Sequence, residues 1–280
     1  AFFPRHAALV MIGLYFAGIL AGILVALLLR GTAFRGEAVP FVMELPNYRM
    51  PGAKNVGRLL WDKAKDFLQR AFTVIFIATI VIWFLQTFDL RLNIVADSKD
   101  SILAVVAGWI APVFAPLGFG NWESTVTSIT GLVAKENVVA TVGILTSLGD
   151  AGEADPSMWM AFGALMGGSV PAIMAFCAFN LLCAPCFAAI GTIRRQMESA
   201  KWTWFAIGYM TVFAWAVGLM IYQFGMLLSG GEFSVWTAVA VVVLVGMLFQ
   251  LFRPLPEYKD KIGEGIAREI DDTAIWAVDL

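Results

Sequence analysis

The chain has 280 residues, of which 60% are hydrophobic and only 14% charged, and its net charge is −2. Soluble domains carry about a quarter charged residues, so a water-soluble enzyme is a poor fit and no nucleic-acid partner is expected. Five runs, residues 7–29, 71–88, 156–193, 202–231 and 233–252, contain no Asp, Glu, Lys or Arg. A helix needs about 20 apolar residues to cross a bilayer. Barrel strands would alternate apolar and polar residues, so the expected fold is all-α. It is a polytopic helical membrane bundle with an interfacial amphipathic helix and re-entrant or broken helices.

Taken in chain order, residues 7–29 make a first span. The run is too long for the apolar core of a signal peptide, and no small-residue cleavage site follows it. Arg30, Arg35, Arg49, Lys54, Arg58, Lys63, Lys65 and Arg70 then crowd one connection, which the positive-inside rule puts in the cytoplasm. Within it, Val56, Leu59, Leu60, Lys63 and Phe67 recur at helical spacing. Residues 52–70 are therefore expected to lie on the inner membrane surface, with a second span over about 71–88.

Residues 101–146 start and finish outside, which calls for two crossings or a re-entrant hairpin. The next loop holds Asp150, Glu153 and Asp155 and no base. The run 158–193 must cross an odd number of times, and Gly167, Gly168 and Pro171 break it. A short re-entrant arm before Pro171 and a full span after it would satisfy both demands. A second basic cluster is Arg194, Arg195 and Lys201, and two spans follow at about 203–224 and 233–252. The expected division is a first span with cytoplasmic linker and amphipathic helix (1–70), a membrane block (71–193), the last two spans (194–252) and a polar cytoplasmic tail (253–280). No repeat is visible inside the chain.

Polar groups inside a bilayer are costly and turn toward a cavity or a partner. They concentrate in residues 120–146, GNWESTVTSITGLVAKENVVATVGILT. On one ideal helix Glu123, Thr127, Thr130, Ala134, Asn137 and Thr141 share a stripe, with Ser124, Ser128, Gly131 and Lys135 beside it. A plain packing face, its hydroxyls bonded to their own backbone, would look the same. The ionisable Glu123, Lys135 and Glu136 favour a solute pathway. Asn121 suits a helix N-cap, and a first-turn Glu123 is also favoured by the helix dipole alone. Glu136 falls off the polar face unless the helix unwinds near residues 134–136, as transporter helices do at their sites.

The second concentration is Cys183-Ala-Pro-Cys186, with Asn180 one turn earlier. On a helical turn the two cysteines would share a side. Pro185 lacks the N–H that would pair with the Leu181 carbonyl, and thiolate plus free carbonyl suits a borderline-soft metal. Inert buried cysteines are the common alternative. The only His, His6, stands apart beside Arg5; Met160, Met166, Met210 and Met220 could line a soft-metal path, although Met is also an ordinary membrane filler. No phosphate-binding glycine loop, Ser-His-Asp set or zinc-protease motif is present, so no enzymatic reaction is expected on this chain.

One stretch, PFVMELPNYRMP at residues 40–51, closely resembles the P-F-x-x-E-L-P-x-Y-x-x-P segment of FeoB-type ferrous iron transporters. Asn121-Trp122, the Gly131 to Glu136 block GLVAKE, Pro185-Cys186 and Lys201-Trp202 resemble further motifs of that family in the same order. The resemblance implies Fe²⁺ uptake across the bacterial inner membrane. On it, Cys183, Cys186, Glu136 and Glu123 are the metal candidates. Ser128, Thr130, Lys135, Asn137 and Asn180 would line the polar pathway.

The resemblance also implies a C-terminal half. The GTP-binding domain and an earlier gate-type repeat would lie on another segment or a separate chain. No permanent cofactor is implied; Fe²⁺ is the transported substrate, and GTP acts only through that other domain. Expected partners are membrane lipid, the GTP-binding domain or GTPase subunit, and small cytoplasmic Feo proteins; a homo-oligomer is left open. Two other readings stay open: a gate-repeat carrier of a nucleoside or organic ion, and a non-transporting membrane scaffold that docks a GTPase.

Overall fold

The computed structural model describes residues 7–32, 52–95, 97–133, 135, 137–146 and 155–252. The E-L-P segment at 40–51, Glu136, the acidic loop residues Asp150 and Glu153, and the tail lie outside them. Ten helices run through the described residues. They are α1 (Ala7–Thr32), α2 (Ala53–Thr87), α3 (Ile102–Ile110), α4 (Trp122–Val133), α5 (Asn137–Leu145), α6 (Pro156–Leu165), α7 (Val170–Leu182), α8 (Phe187–Met197), α9 (Ala200–Leu228) and α10 (Val235–Phe252). β pairing among the described residues is limited to one isolated bridge, Phe88 with Ile94. The all-α membrane bundle is what the uncharged runs demand.

Three helices, α1, α9 and α10, are long and apolar enough to cross a bilayer. α6 and α7 make a fourth candidate as a pair bent by 101°. Gly167 and Gly168, at φ +72° and +64°, form the bend, and Ser169 caps α7 by accepting from the Ala172 N–H at 3.3 Å. The break therefore falls at the Gly pair, where it was expected.

Three expectations are corrected. The amphipathic stretch and the second span are one uninterrupted helix, α2, of 35 residues, or about 52 Å. No Gly or Pro stands between residues 58 and 87 to divide it. The chain after Pro171 is not one full span either. α7 stops after 13 residues, about 20 Å, and α8 starts at Phe187, after four intervening residues.

The third correction concerns 122–146. This stretch is not a straight helix with one polar stripe, because the Thr141 hydroxyl donates to the Thr130 hydroxyl at 3.0 Å. Eleven residues on one helix would separate the two by about 16 Å along the axis. α5 therefore doubles back on α4, with Lys135 between the two helices. Gly131 permits the close approach: a Cβ there would stand 2.8 Å from Val138 Cγ2.

The core lies between α6, α7 and α9 and the irregular segment 111–121. Phe114, Phe119, Phe162, Phe176 and Phe179 form a chain of rings with centroids 5.1–6.1 Å apart. Within segment 111–121, two 3₁₀ turns run from Ala111 to a left-handed Gly118. Such backbone persists at membrane depth only if its polar groups find partners within the protein. α9 provides them: Trp215 Nε1 donates to the Val113 carbonyl at 2.9 Å and Gln223 Nε2 to Pro116 at 2.8 Å. Gln223 Oε1 in turn accepts from Ser234 and Thr237, at 3.1 and 3.0 Å, which ties the start of α10 to the same node.

Candidate functional site at the end of a broken helix

α7 runs antiparallel to α9. Pro171 at its start lies against Gly225, where a Cβ would come within 2.8 Å, and Phe179 near its end shares a cavity with Thr211, Val212 and Trp215. The end of α7 is therefore level with the middle of α9. Leu181 also reaches α1 halfway along its length, 3.8 Å from where a Gly18 Cβ would be. The break after Leu182 is therefore level with the midpoints of both long helices.

A helix that ends leaves its last carbonyls without intrahelical donors. Pro185 has no N–H to offer Leu181, and the residue before a proline is pushed out of the helical region. Residues 183–186 accordingly leave the helix, with ψ of 168° at Cys183 and 158° at Cys186. This corrects the expectation that the two cysteines share one helical turn. Cys183 is buried and closes α7, while Cys186 is half-buried and precedes α8.

The tip of the α4–α5 hairpin meets this break. Lys135 Nζ donates to the Asn180 carbonyl at 2.6 Å and to the Leu181 carbonyl at 3.3 Å. Cys183 Sγ donates to the same Asn180 carbonyl at 3.5 Å. The Asn180 side-chain nitrogen is bonded to Phe176 O at 2.9 Å, and its Oδ1 lies 3.5 Å from a Cβ built on Gly131. A cation over the negative end of a helix is electrostatically favoured. Lys135, Asn180 and Cys183, named from different parts of the sequence, thus meet at one place.

The other candidates are placed elsewhere or play local parts. Glu123 sits in the first turn of α4, about 12 Å along the axis from Gly131. Asn121 caps that end, accepting from the Ser124 N–H at 3.3 Å, and also donates to the Leu165 carbonyl at 3.0 Å, joining α4 to the end of α6. Ser128 donates to Ser124 O at 3.0 Å and Thr130 to Thr127 O at 3.0 Å. These hydroxyls behave as packing residues bonded to their own helix. Asn137 opens α5 beside the tip. Among the described residues no three His, Cys, Asp or Glu side chains are grouped to hold a metal ion.

Trp215 and Gln223 were not singled out from sequence. Gln223 is the one amide in the uncharged run 202–231, and that isolation was the available signal.

A family model described as "Ferrous iron transport protein B C terminus" matches residues 11–63. A second, the Gate model described as "Nucleoside recognition", matches residues 68–200. A Fe(2+) transporter FeoB of Staphylococcus aureus (strain COL) is 34% identical over 81% of this chain and 33% of its own length. One from Salmonella typhimurium is 33% identical over 90% of this chain and 39% of its own length. A Porphyromonas gingivalis "Fe(2+) transport protein A/Fe(2+) transporter FeoB fusion protein" is 34% identical over 81% of this chain and 32% of its own. The chain thus spans about a third of the length of the curated relatives it matches. No solved structure matches it.

Proposed function

The chain belongs to the FeoB-type ferrous iron transporters, as their C-terminal membrane part, and we propose that it supplies one side of the path by which Fe²⁺ crosses the bacterial inner membrane. One observation supports this reading above the others. The α4–α5 hairpin and a broken helix converge level with the midpoints of α1 and α9, leaving main-chain carbonyls and a cysteine beside each other. Broken helices with freed carbonyls are how transporters present ligands to cations inside a bilayer.

In this reading Fe²⁺ passes the 183–186 break, with Cys183 and Cys186 as sulfur ligands and Glu136 and Glu123 compensating its charge. Asn137 and Asn180 border the path, and Ser128 and Thr130, bonded to their own helix, pack behind it. Residues 71–193 act as the gate-type repeat, 1–70 as the first span and linker, 194–252 as the closing spans and 253–280 as a cytoplasmic tail. GTP binding belongs to a further domain or subunit, and lipid covers the apolar outer faces. The fused name of the P. gingivalis relative supports a small Feo protein as partner.

The test is Fe²⁺ uptake by the complete transporter carrying Cys186→Ser or Glu136→Gln. Each is expected to lose most uptake at equal expression. Wild-type rates in both would overturn the assignment. The Gate model's description favours one alternative, a nucleoside-type solute; metal-independent uptake of a nucleoside by the same preparation would establish it.

A further inference from the structure

The carbonyls at the end of α7 form a cation-accepting group, and a cation already fills it. The Asn180 and Leu181 carbonyls point out of the last turn of a helix, where the backbone dipoles add a partial negative charge. Lys135 Nζ sits on both, at 2.6 and 3.3 Å, and shares the first with the Cys183 thiol. Nothing in the local sequence brings Lys135 there. It arrives because the chain reverses between α4 and α5 and Gly131 allows α4 to approach Asn180 closely. The ammonium is thus delivered by an element separate from the one that holds the carbonyls.

We infer that Lys135 is a tethered counter-cation: it occupies the Asn180 and Leu181 carbonyls while no metal is present, and it must withdraw before a divalent cation can use them. The inference rests on the transport reading above and adds a resting occupant to the same site. Two freed carbonyl oxygens beside a thiol are donors for an ion such as Fe²⁺. An ammonium and a divalent ion do not share them, because two like charges would be held on the same oxygens within a few ångströms of each other. Binding of metal and withdrawal of Lys135 are therefore one coupled event, and the hairpin tip is the part that moves.

A static helix cap would show the same distances but respond differently. The first experiment is equilibrium binding of Fe²⁺, under anaerobic conditions, to the complete purified transporter, its Lys135→Met variant and its Lys135→Arg variant. Removing the competing charge raises the fraction of binding-competent sites. If that fraction is about a tenth in the wild type, Lys135→Met binds about tenfold more tightly, and Lys135→Arg, which keeps a cation, does not. Unchanged or weaker binding by folded Lys135→Met overturns the inference.

The second measurement needs no variant, and decides the matter should Lys135→Met fail to fold. Acylation of Lys135 by an amine-reactive ester, quantified by peptide mass spectrometry, is expected to rise when Fe²⁺ is added, while that of Lys201 stays constant. Equal acylation of Lys135 with and without saturating Fe²⁺ overturns the inference. These outcomes are separable from the transport test. Uptake that depends on Cys186 and Glu136, together with unaltered Fe²⁺ affinity in Lys135→Met, removes the tethered cation and leaves the iron path standing. Absence of Fe²⁺ uptake in the wild-type transporter removes the iron path itself.

Discussion

Thr141 Oγ1 donates to Thr130 Oγ1 at 3.0 Å, and this single bond between two buried hydroxyls records that the chain reverses between α4 and α5. Everything placed at the tip, Lys135 above all, depends on that reversal.

The hairpin predicts a cross-link. Cysteines introduced together as Thr130→Cys and Thr141→Cys are expected to form a disulfide under mild oxidation, identified by mass spectrometry of the linked peptides. A straight helix would keep them about 16 Å apart, far outside the range a disulfide spans. Thr141→Val alone removes one buried hydroxyl bond and is expected to lower stability by about 1 kcal/mol.

Gly118 stands at φ +83°, with Tyr222 packed over it so that a Cβ would come within 2.2 Å of Tyr222 Cε2. Gly118→Ala is expected to cost about 1–2 kcal/mol from the left-handed backbone alone, with ring displacement added. Thermal unfolding of the complete transporter in detergent measures this. In a Tyr222→Ala background the steric part of the Gly118→Ala penalty should vanish and the backbone part should remain.

Gln223 joins three elements through its amide. Gln223→Leu strands the Pro116 carbonyl and removes the acceptor of the Ser234 and Thr237 hydroxyls. Leaving buried polar groups unpaired costs about 1–3 kcal/mol. Hydrogen exchange should accelerate around residues 111–121 and at the start of α10. Unchanged exchange at both places would show that the node does not hold them.

At the end of α2, Asp89 Oδ1 accepts the Asn93 N–H at 2.9 Å and the Arg91 N–H at 2.7 Å. The Asn93 bond foremost, with the Arg91 bond and charge, holds the carboxyl below its usual value of 3.8. A depressed carboxyl supports the fold above its ordinary pKa, and the support is lost as pH falls through the depressed one. Protection of the Arg91 and Asn93 amides, corrected for intrinsic exchange, should therefore persist above about pH 4 and fall below it. Asp89→Asn should show no such acid-dependent loss.

Much of the candidate site was legible in the sequence because its signals are local. Pro185 alone announces a freed carbonyl at Leu181, and the out-of-register Glu136 announces an interruption near 134–136. Asn121 was legible as a cap, although its second bond, to Leu165, was not. The α2 helix was misread in two pieces because a change from amphipathic to apolar pattern is a change of surroundings, not of backbone. Where no Gly or Pro intervenes, the helix continues across it.

By itself, the sequence determined that this is a helical membrane bundle, that the run 156–193 breaks at Gly167 and Gly168, and which residues carry charge or sulfur. Those properties follow from uncharged run length and from proline and glycine backbone chemistry, both of which act within a few residues. Only the tertiary structure decided the direction the chain takes after each break. It turned α5 back on α4, set the end of α7 level with the middle of α9, and so brought Lys135 onto carbonyls 45 and 46 residues away. The polar groups at a break must find partners wherever the fold supplies them, and spacing along the chain does not record where that is.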